Sequence, residues 1–534
     1  MKAEENKLIR FLEGHDKSFI IPVYQRNYDW KKENCKRLLE DLNEVYKYNR
    51  KSHFFGSLVV IYNDDGEGQE YIIIDGQQRV TTISLLLLAL INTAKKKGIA
   101  GSDLDTGMIM NEYLIGKYNQ KNKIKLKPVK NDQKAFTQLF DNPDLSIPSN
   151  VVRNYSYFLD HFDKSSVEEI LGIYASIKKL DIVEIKLKQG EDDPQLIFES
   201  LNSTGLDLTE ADKVRNFILM NLPSYLQDEY YEKYWNKIEE NTSYDVSSFL
   251  KDYLTMKENK IPNKDRVYNS FRTYFTANFS TNDTSILLEE LLHFSLLYRT
   301  ITKAKHSDLK VSELLKRLIR MEMSVTYPFL LEVFNDNYKG LLSIEDLSSI
   351  LIILETYILR RFMCDVPTNA LNKVFMTLSR DIKKYPEYEQ KYLDVFTYVL
   401  LSKKAANRFP KDDEFREKLF EKDIYNLKAK NKVFFLERLE NFQNRERVDV
   451  EKMIDENSLT IEHVMPQKLS PSWKKSLGDN WEEIHSKYLH TIGNLTLTAY
   501  NSELSNKPYT EKLTQTNGLR ESRLFLNSYF SSFS

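Results

Sequence analysis

Only two cysteines, Cys35 and Cys364, occur in 534 residues. Two thiols cannot frame a disulfide scaffold, and the expectation is a reducing compartment. An excess of one charge is also lacking, since 76 basic and 78 acidic side chains leave a formal net charge of -2. That excludes a surface coated in basic residues. It does not exclude a local basic groove, because net charge averages over the whole molecule. No apolar run approaches the roughly 18 residues that span a bilayer. The longest, Ile83–Ile91, sits in a stretch of helical character from about Val80 to Ala94, and Leu347–Leu359 is broken by Glu355. The opening MKAEENKLIRFLEGHDKSF has no apolar core of the signal-peptide kind. These absences predict a cytoplasmic protein with no membrane segment. The chain also shows no fixed-period repeat, no low-complexity segment and no G-x-x-x-x-G-K-S/T phosphate loop.

The composition that is present, 41% hydrophobic and 29% charged, is that of a globular chain. At roughly 100–200 residues per domain the length suggests about three domains. Residues 1–225 mix strand and helix signals. Trp30–Tyr48 reads helical, with Leu38, Leu39, Leu42 and Val45 on one face. Phe54–Tyr62 and Tyr71–Ile74 read as a hairpin around the acidic turn Asn63–Gln69. Leu180–Leu187 is a further strand candidate, and Thr209 can cap a helix over Glu210–Asn221. Lys123–Lys127 alternates basic and apolar, which predicts a half-buried strand with a basic solvent face. Residues 226–445 read as amphipathic helices with few Gly or Pro, and 446–534 as a separate small α/β domain.

Three polar clusters share the first part: Tyr24, Gln25 and Arg26 with Tyr28 and Trp30; Asp75, Gln77, Gln78 and Arg79; and Asn202, Ser203, Gly205 and Asp212 with Lys213 and Arg215. The second sits where a strand turns into a helix, and the backbone N–H groups of a helix N-terminus favour anions. An arginine fork matches phosphate oxygens, an Asp binds Mg²⁺ or activates water, and Gly76 lets backbone approach a phosphate closely. The bland alternative is a solvated turn in which Arg26 pairs with a carboxylate.

The C-terminal part carries Ser458-Leu-Thr-Ile-Glu-His463-Val-Met-Pro466, then His490-Thr-Ile-Gly-Asn494-Leu-Thr-Leu-Thr, then Asn501-Ser-Glu-Leu-Ser-Asn506-Lys507. Phosphodiester hydrolysis needs a base for water, a cation for the phosphate and a group that orients the base. His463 suits the base. Glu462 and Asn501 are oxygen ligands for a hard cation such as Mg²⁺ or Mn²⁺. Asn494 can pin the His-bearing loop through its amide. No Cys or second close His stands at zinc spacing, and His485 and His490 read as structural or surface residues.

The C-terminal pattern resembles the HNH (His-Me finger) nucleases, and more narrowly the nuclease domain of the GmrSD-type, modification-dependent (type IV) restriction endonucleases. IPVYQRNYDW, FFGSLVV, IIIDGQQRVTT and FESLNSTGLDLTEADKVRNFI resemble the other domain of that family. The resemblance covers about 8–220 and 445–515. It implies an α+β multidomain fold: a ParB/sulfiredoxin-like nucleotidase domain, a helical middle, and a small ββα-metal nuclease domain. It implies His463 as general base, Asn494 as the middle residue of the HNH triad, and Asn501 as the helix-borne metal ligand, with Asn506 second for that place. Asp75, Gly76, Gln77, Gln78 and Arg79 would form the nucleotide site, aided by Tyr24, Gln25 and Arg26. The triphosphate, whether GTP, UTP or ATP, is left open, as is a homodimer or other oligomer. Glu462 departs from the Asp or His of many HNH members. The expected activity is nucleotide-regulated, metal-dependent cutting or nicking of DNA, chiefly modified phage DNA, in bacterial defence. The alternative is a nucleotide-dependent DNA-binding sensor with a non-catalytic HNH-like domain. Lys123, Lys125, Lys127 and Lys130, with Lys468, Lys474, Lys475 and Lys507, are the candidate DNA-facing bases.

Overall fold

A computed structural model describes residues 1–64, 68–99, 104–116, 124–141, 145–188, 191–201, 208–220, 222–280, 283–442, 444 and 446–531. The chain forms two compact units, Met1–Glu239 with Asp265–Glu289, and Glu240–Lys264 with Glu290–Ser534.

The first unit is built on a mixed sheet of β1 (Lys2–Lys7), β2 (Lys17–Ile20), β3 (His53–Asp64), β4 (Gln69–Asp75), β5 (Leu126–Lys127) and β6 (Leu180–Leu187), in the order β1-β6-β3-β4-β2-β5. The expected hairpin is β3 and β4, paired antiparallel. β3 pairs β6 in parallel, and β2 pairs β4 in parallel. Parallel neighbours need crossovers, and these are helical. The helix Gln77–Lys96 is buried from Val80 to Ile91, which explains why its apolar run has no polar stripe. The amphipathic helix Lys32–Lys47 buries Leu38, Leu39, Leu42 and Val45, the face expected of it. Thr209 caps the helix Glu210–Met220, its hydroxyl taking the Asp212 N–H at 3.1 Å.

Lys123–Lys127 departs from expectation. Lys123 lies outside the described residues, and the strand is only Leu126–Lys127. Lys125 is not on a solvent face but 2% exposed, with its ammonium donating to the carbonyls of Leu12, at 2.9 Å, and Glu112. Burial, reinforced by Lys17, brings its amine down to about 8. Two helical ends supply orphan carbonyls there, and a lysine reaches in to satisfy them. Lys125 is therefore unavailable to DNA.

The second unit is helical as far as Ala429–Glu440, as its patterning suggested. Glu355, which interrupts the apolar helix Ile344–Met363, is buried against Arg317 and Arg438 at 3.5 and 3.0 Å. Beyond these helices comes an antiparallel pair, β7 (Thr460–His463) and β8 (Leu495–Thr498), in which His463 faces Leu495 across the ladder. No helix among the described residues is long and apolar enough to cross a membrane.

Candidate functional site

In the first unit, β4 ends at Asp75 and the helix Gln77–Lys96 begins at once. Gly76 makes the turn at φ 97°, and a Cβ there would lie 2.2 Å from Leu58 Cδ2. Only glycine fits such a left-handed, crowded position. No side chain caps this helix N-terminus, so its first N–H groups point outward unsatisfied by the helix itself. They border a cavity of about 190 Å³ lined by Gln25, Arg26, Trp30, Asn34, Asp75, Gly76, Gln77, Gln78, Arg79, Phe198 and Leu208.

The polar residues of this cavity divide by what their side chains already hold. Gln78 accepts the N–H groups of Asp29 and Trp30 at 2.8 and 3.1 Å and donates to Asn27 O at 3.1 Å, so it clamps the segment after Arg26. Gln77 donates to Gln25, which donates to Ile74 O at 2.9 Å. Arg79 donates to Ser57 O at 2.9 Å and stands 3.8 Å from Asp75. Arg26 is only loosely paired, 4.0 Å from Asp29. Burial pushes the Asp75 carboxyl up, against the pull of Arg79, the Gly76 N–H and Arg26. Tyr24 does not line the cavity. It is buried, and its carbonyl accepts Arg215 Nε at 2.8 Å. Arg215 also joins Asp212 and Glu239, each at 2.7 Å. Asn202, Ser203 and Gly205 lie outside the described residues.

In the second unit, side chains alternate across β7. The strand therefore sends Glu462 and His463 to opposite faces. Glu462 meets Lys512 at 2.5 Å, and Lys512 Nζ also donates to His463 O at 2.8 Å. Both are nearly sealed from solvent, at 5% and 0% exposure. Burial raises the Glu462 carboxyl, and Lys512 opposes it. The carboxylate read from sequence as a metal ligand is thus held by an internal lysine.

His463 faces Tyr425 and His490. Its Nε2 lies 3.2 Å from His490 Nδ1, and Gln467 Nε2 approaches its Nδ1 at 3.4 Å. The Tyr425 ring stacks on His490, 5.3 Å away and 10° from parallel, and meets His463 edge-on at 4.3 Å. Ile424 N donates to His490 O at 2.9 Å, and Asp423 bridges to Thr491. Burial, then His490 and Lys512, bring the His463 imidazole down to about 4, with Asp423 pulling the other way. Burial also pushes the Asp423 carboxyl up, but the N–H groups of Asn426, with His490 and His463 behind them, outweigh it and leave it low.

Asn494 holds the loop that follows His463. Its Oδ1 accepts Met465 N at 2.6 Å, while Nδ2 donates to Met465 O at 2.9 Å and Leu489 O at 2.8 Å. Asn501 opens the short helix Asn501–Leu504 and donates to Ile461 O at 2.9 Å, which keeps its own amide oxygen turned away from that bond. Asn506 is exposed in the turn beyond. Lys468, Lys474 and Lys475 are exposed, whereas Lys507 pairs with Glu511 at 3.2 Å and Gln515 at 2.7 Å. Among the described residues no three His, Cys, Asp or Glu side chains are placed to hold a metal ion by themselves. Of the ligands read from the sequence, Glu462 is held by Lys512, which leaves the amide oxygens of Asn501 and Asn506.

His490, Tyr425 and Asp423 are neighbours of His463 that the sequence reading did not place beside it. His490 stands just ahead of Thr-Ile-Gly-Asn494, and that adjacency was the available signal.

Residues 8–219 match the GmrSD restriction endonuclease, N-terminal domain, and residues 409–533 match the GmrSD restriction endonucleases, C-terminal domain. No curated protein matches the chain. Each match takes in one of the two sites, Gly76 with its cavity and His463 with its clamped loop, and the chain belongs to the GmrSD-like type IV restriction endonuclease family, whose members are DNA endonucleases of restriction.

Proposed function

We propose that the protein hydrolyses phosphodiester bonds in modified DNA with His463 as general base, in a reaction that depends on a divalent cation and is regulated by a nucleoside triphosphate. The observation that carries this reading is the place of His463 at the end of β7, half-enclosed by Tyr425 and His490, beside a loop locked by three Asn494 amide bonds. A neutral imidazole has a lone pair to take a proton from water. The hydroxide electron pair forms the new bond to phosphorus as the bond to the leaving oxygen breaks. Asn501, through its amide oxygen, would hold Mg²⁺ or Mn²⁺, with Asn506 the second candidate. When bound, such a cation supplies positive charge to the phosphate oxygens. Exposed Lys468, Lys474 and Lys475 give DNA a cationic approach, so binding weakens as salt rises.

A triphosphate would bind in the first unit, its anionic oxygens meeting the uncapped helix N-terminus, Arg26 and Arg79. The test is cleavage of supercoiled plasmid and of modified phage DNA, with Mg²⁺ or Mn²⁺ and with or without GTP, UTP or ATP. His463→Ala is expected to abolish cutting, and Asn494→Ala to cripple it. Equal cutting by wild type and both variants removes the assignment. Arg79→Ala or Asp75→Ala is expected to lose triphosphate binding, and normal binding by both would make that junction structural.

A further inference from the structure

The general-base reading leaves open which ring nitrogen of His463 takes the proton. A neutral imidazole carries one N–H and one lone pair. Nε2 of His463 stands 3.2 Å from His490 Nδ1, so one of these two nitrogens donates to the other. At the opposite side of the ring, the Gln467 amide nitrogen approaches Nδ1. An amide NH₂ can only donate, so Nδ1 is the acceptor and carries the lone pair. Nε2 then bears the proton, and His490 Nδ1 is its acceptor.

The reverse assignment fails on chemistry. If His490 donated to Nε2, the lone pair of His463 would be spent on His490 and its proton would sit on Nδ1. That Nδ1–H would then face the Gln467 amide N–H, donor against donor.

We propose that His490 is a positioning residue for the base: its Nδ1 accepts the Nε2–H of His463 and fixes the lone pair on His463 Nδ1, where water is deprotonated. The inference rests on the general-base reading above. Water takes the place of the exposed Gln467 amide, whose 3.4 Å contact is long; the water O–H bond breaks, its proton goes to Nδ1, and its electron pair stays on oxygen for attack on phosphorus. The imidazolium keeps its Nε2–H bond to His490 throughout. His490 is itself held in place. Tyr425 stacks on its ring, Ile424 and Tyr425 donate to its carbonyl at 2.9 and 3.3 Å, and Asp423 bridges to its neighbour Thr491. A third group that orients the base is the usual requirement for a nucleophile–base arrangement.

Two variants separate positioning from packing. His490→Phe keeps a ring against Tyr425 and removes the acceptor, whereas His490→Gln restores an acceptor oxygen. The full-length protein, labelled with ¹⁵N-histidine, reports the His463 tautomer by long-range ¹H–¹⁵N correlation, with His463→Ala giving the assignment. Wild type is expected in the Nε2–H form, and His490→Phe as a mixture of both forms. On DNA, His490→Phe is expected to lower kcat at least about tenfold with KM little changed, and His490→Gln to recover part of the loss. A wild-type His463 protonated on Nδ1, or a tautomer untouched by His490→Phe, overturns the proposal. Should no DNA be cut by wild type under any condition, the nuclease reading fails, and the tautomer measurement still decides the role of His490.

Discussion

Asp75 and Glu462 are both carboxylates near the end of a strand, both are raised by burial, and both have a cation nearby. Their settings differ. Asp75 and Arg79 stand 3.8 Å apart and are 23% and 27% exposed. Glu462 and Lys512 touch at 2.5 Å and are 5% and 0% exposed. The first pair is loose and borders a cavity, so an incoming anion can compete for Arg79 and a cation for Asp75. The second is closed by a further bond from Lys512 to His463 O and belongs to the architecture that aims β7. A charged residue inside a motif is therefore assigned by what else reaches it: for Asp75 a neighbour four residues on, for Glu462 a lysine 50 residues away.

The largest effect expected from breaking this contrast is at the sealed pair. Lys512→Met strands a buried carboxylate and is expected to cost about 3–5 kcal/mol, read as a loss of denaturant midpoint in the transition of the second unit. Adding Glu462→Leu should restore most of it. A cost under about 1 kcal/mol for Lys512→Met would mean that the pair is as open as that of Asp75.

Next comes the junction of the first unit. Gly76→Ala sets a Cβ against Leu58 at a left-handed φ and is expected to cost about 1–3 kcal/mol, seen as a lower Tm for the first unit. No loss would show that the β4–helix turn is looser than its geometry.

The smallest effect is a pH dependence. Asp75 holds its proton more tightly in the folded chain than in the unfolded one. Its contribution to stability is present below the ordinary carboxylate range and lost as pH rises through its folded value. Asp75→Asn is therefore expected to raise Tm slightly near neutral pH and to leave it unchanged near pH 3. A gain confined to acid, or a loss at neutral pH, would place Asp75 with the firmly paired carboxylates.

Periodicity made much of the fold legible. The β3–β4 hairpin, β6, and the helices Lys32–Lys47 and Gln77–Lys96 are strong because burial imposes a period of 2 or 3.6 on apolar residues. β1 left no such mark, since KAEENK is a largely exposed edge strand held by its backbone ladder to β6. Lys125 misled because alternation reads outward unless distant carbonyls call a lysine inward. At the sites, Gly76 and His463 were visible from local spacing. The links Glu462–Lys512 and His490–Tyr425 were not, because they join segments 50 and 65 residues apart that only the folded chain brings together.

The stacking of Tyr425 on His490 also bears on modularity. A fragment begun at residue 446, where the sequence reading places the start of the small α/β domain, would carry His463, Asn494 and Asn501 but leave behind Tyr425, Asp423 and the backbone donors of Ile424 and Tyr425. Anyone transplanting this centre onto another protein must therefore cut upstream of Asp423, so that the wall behind the two imidazoles travels with them.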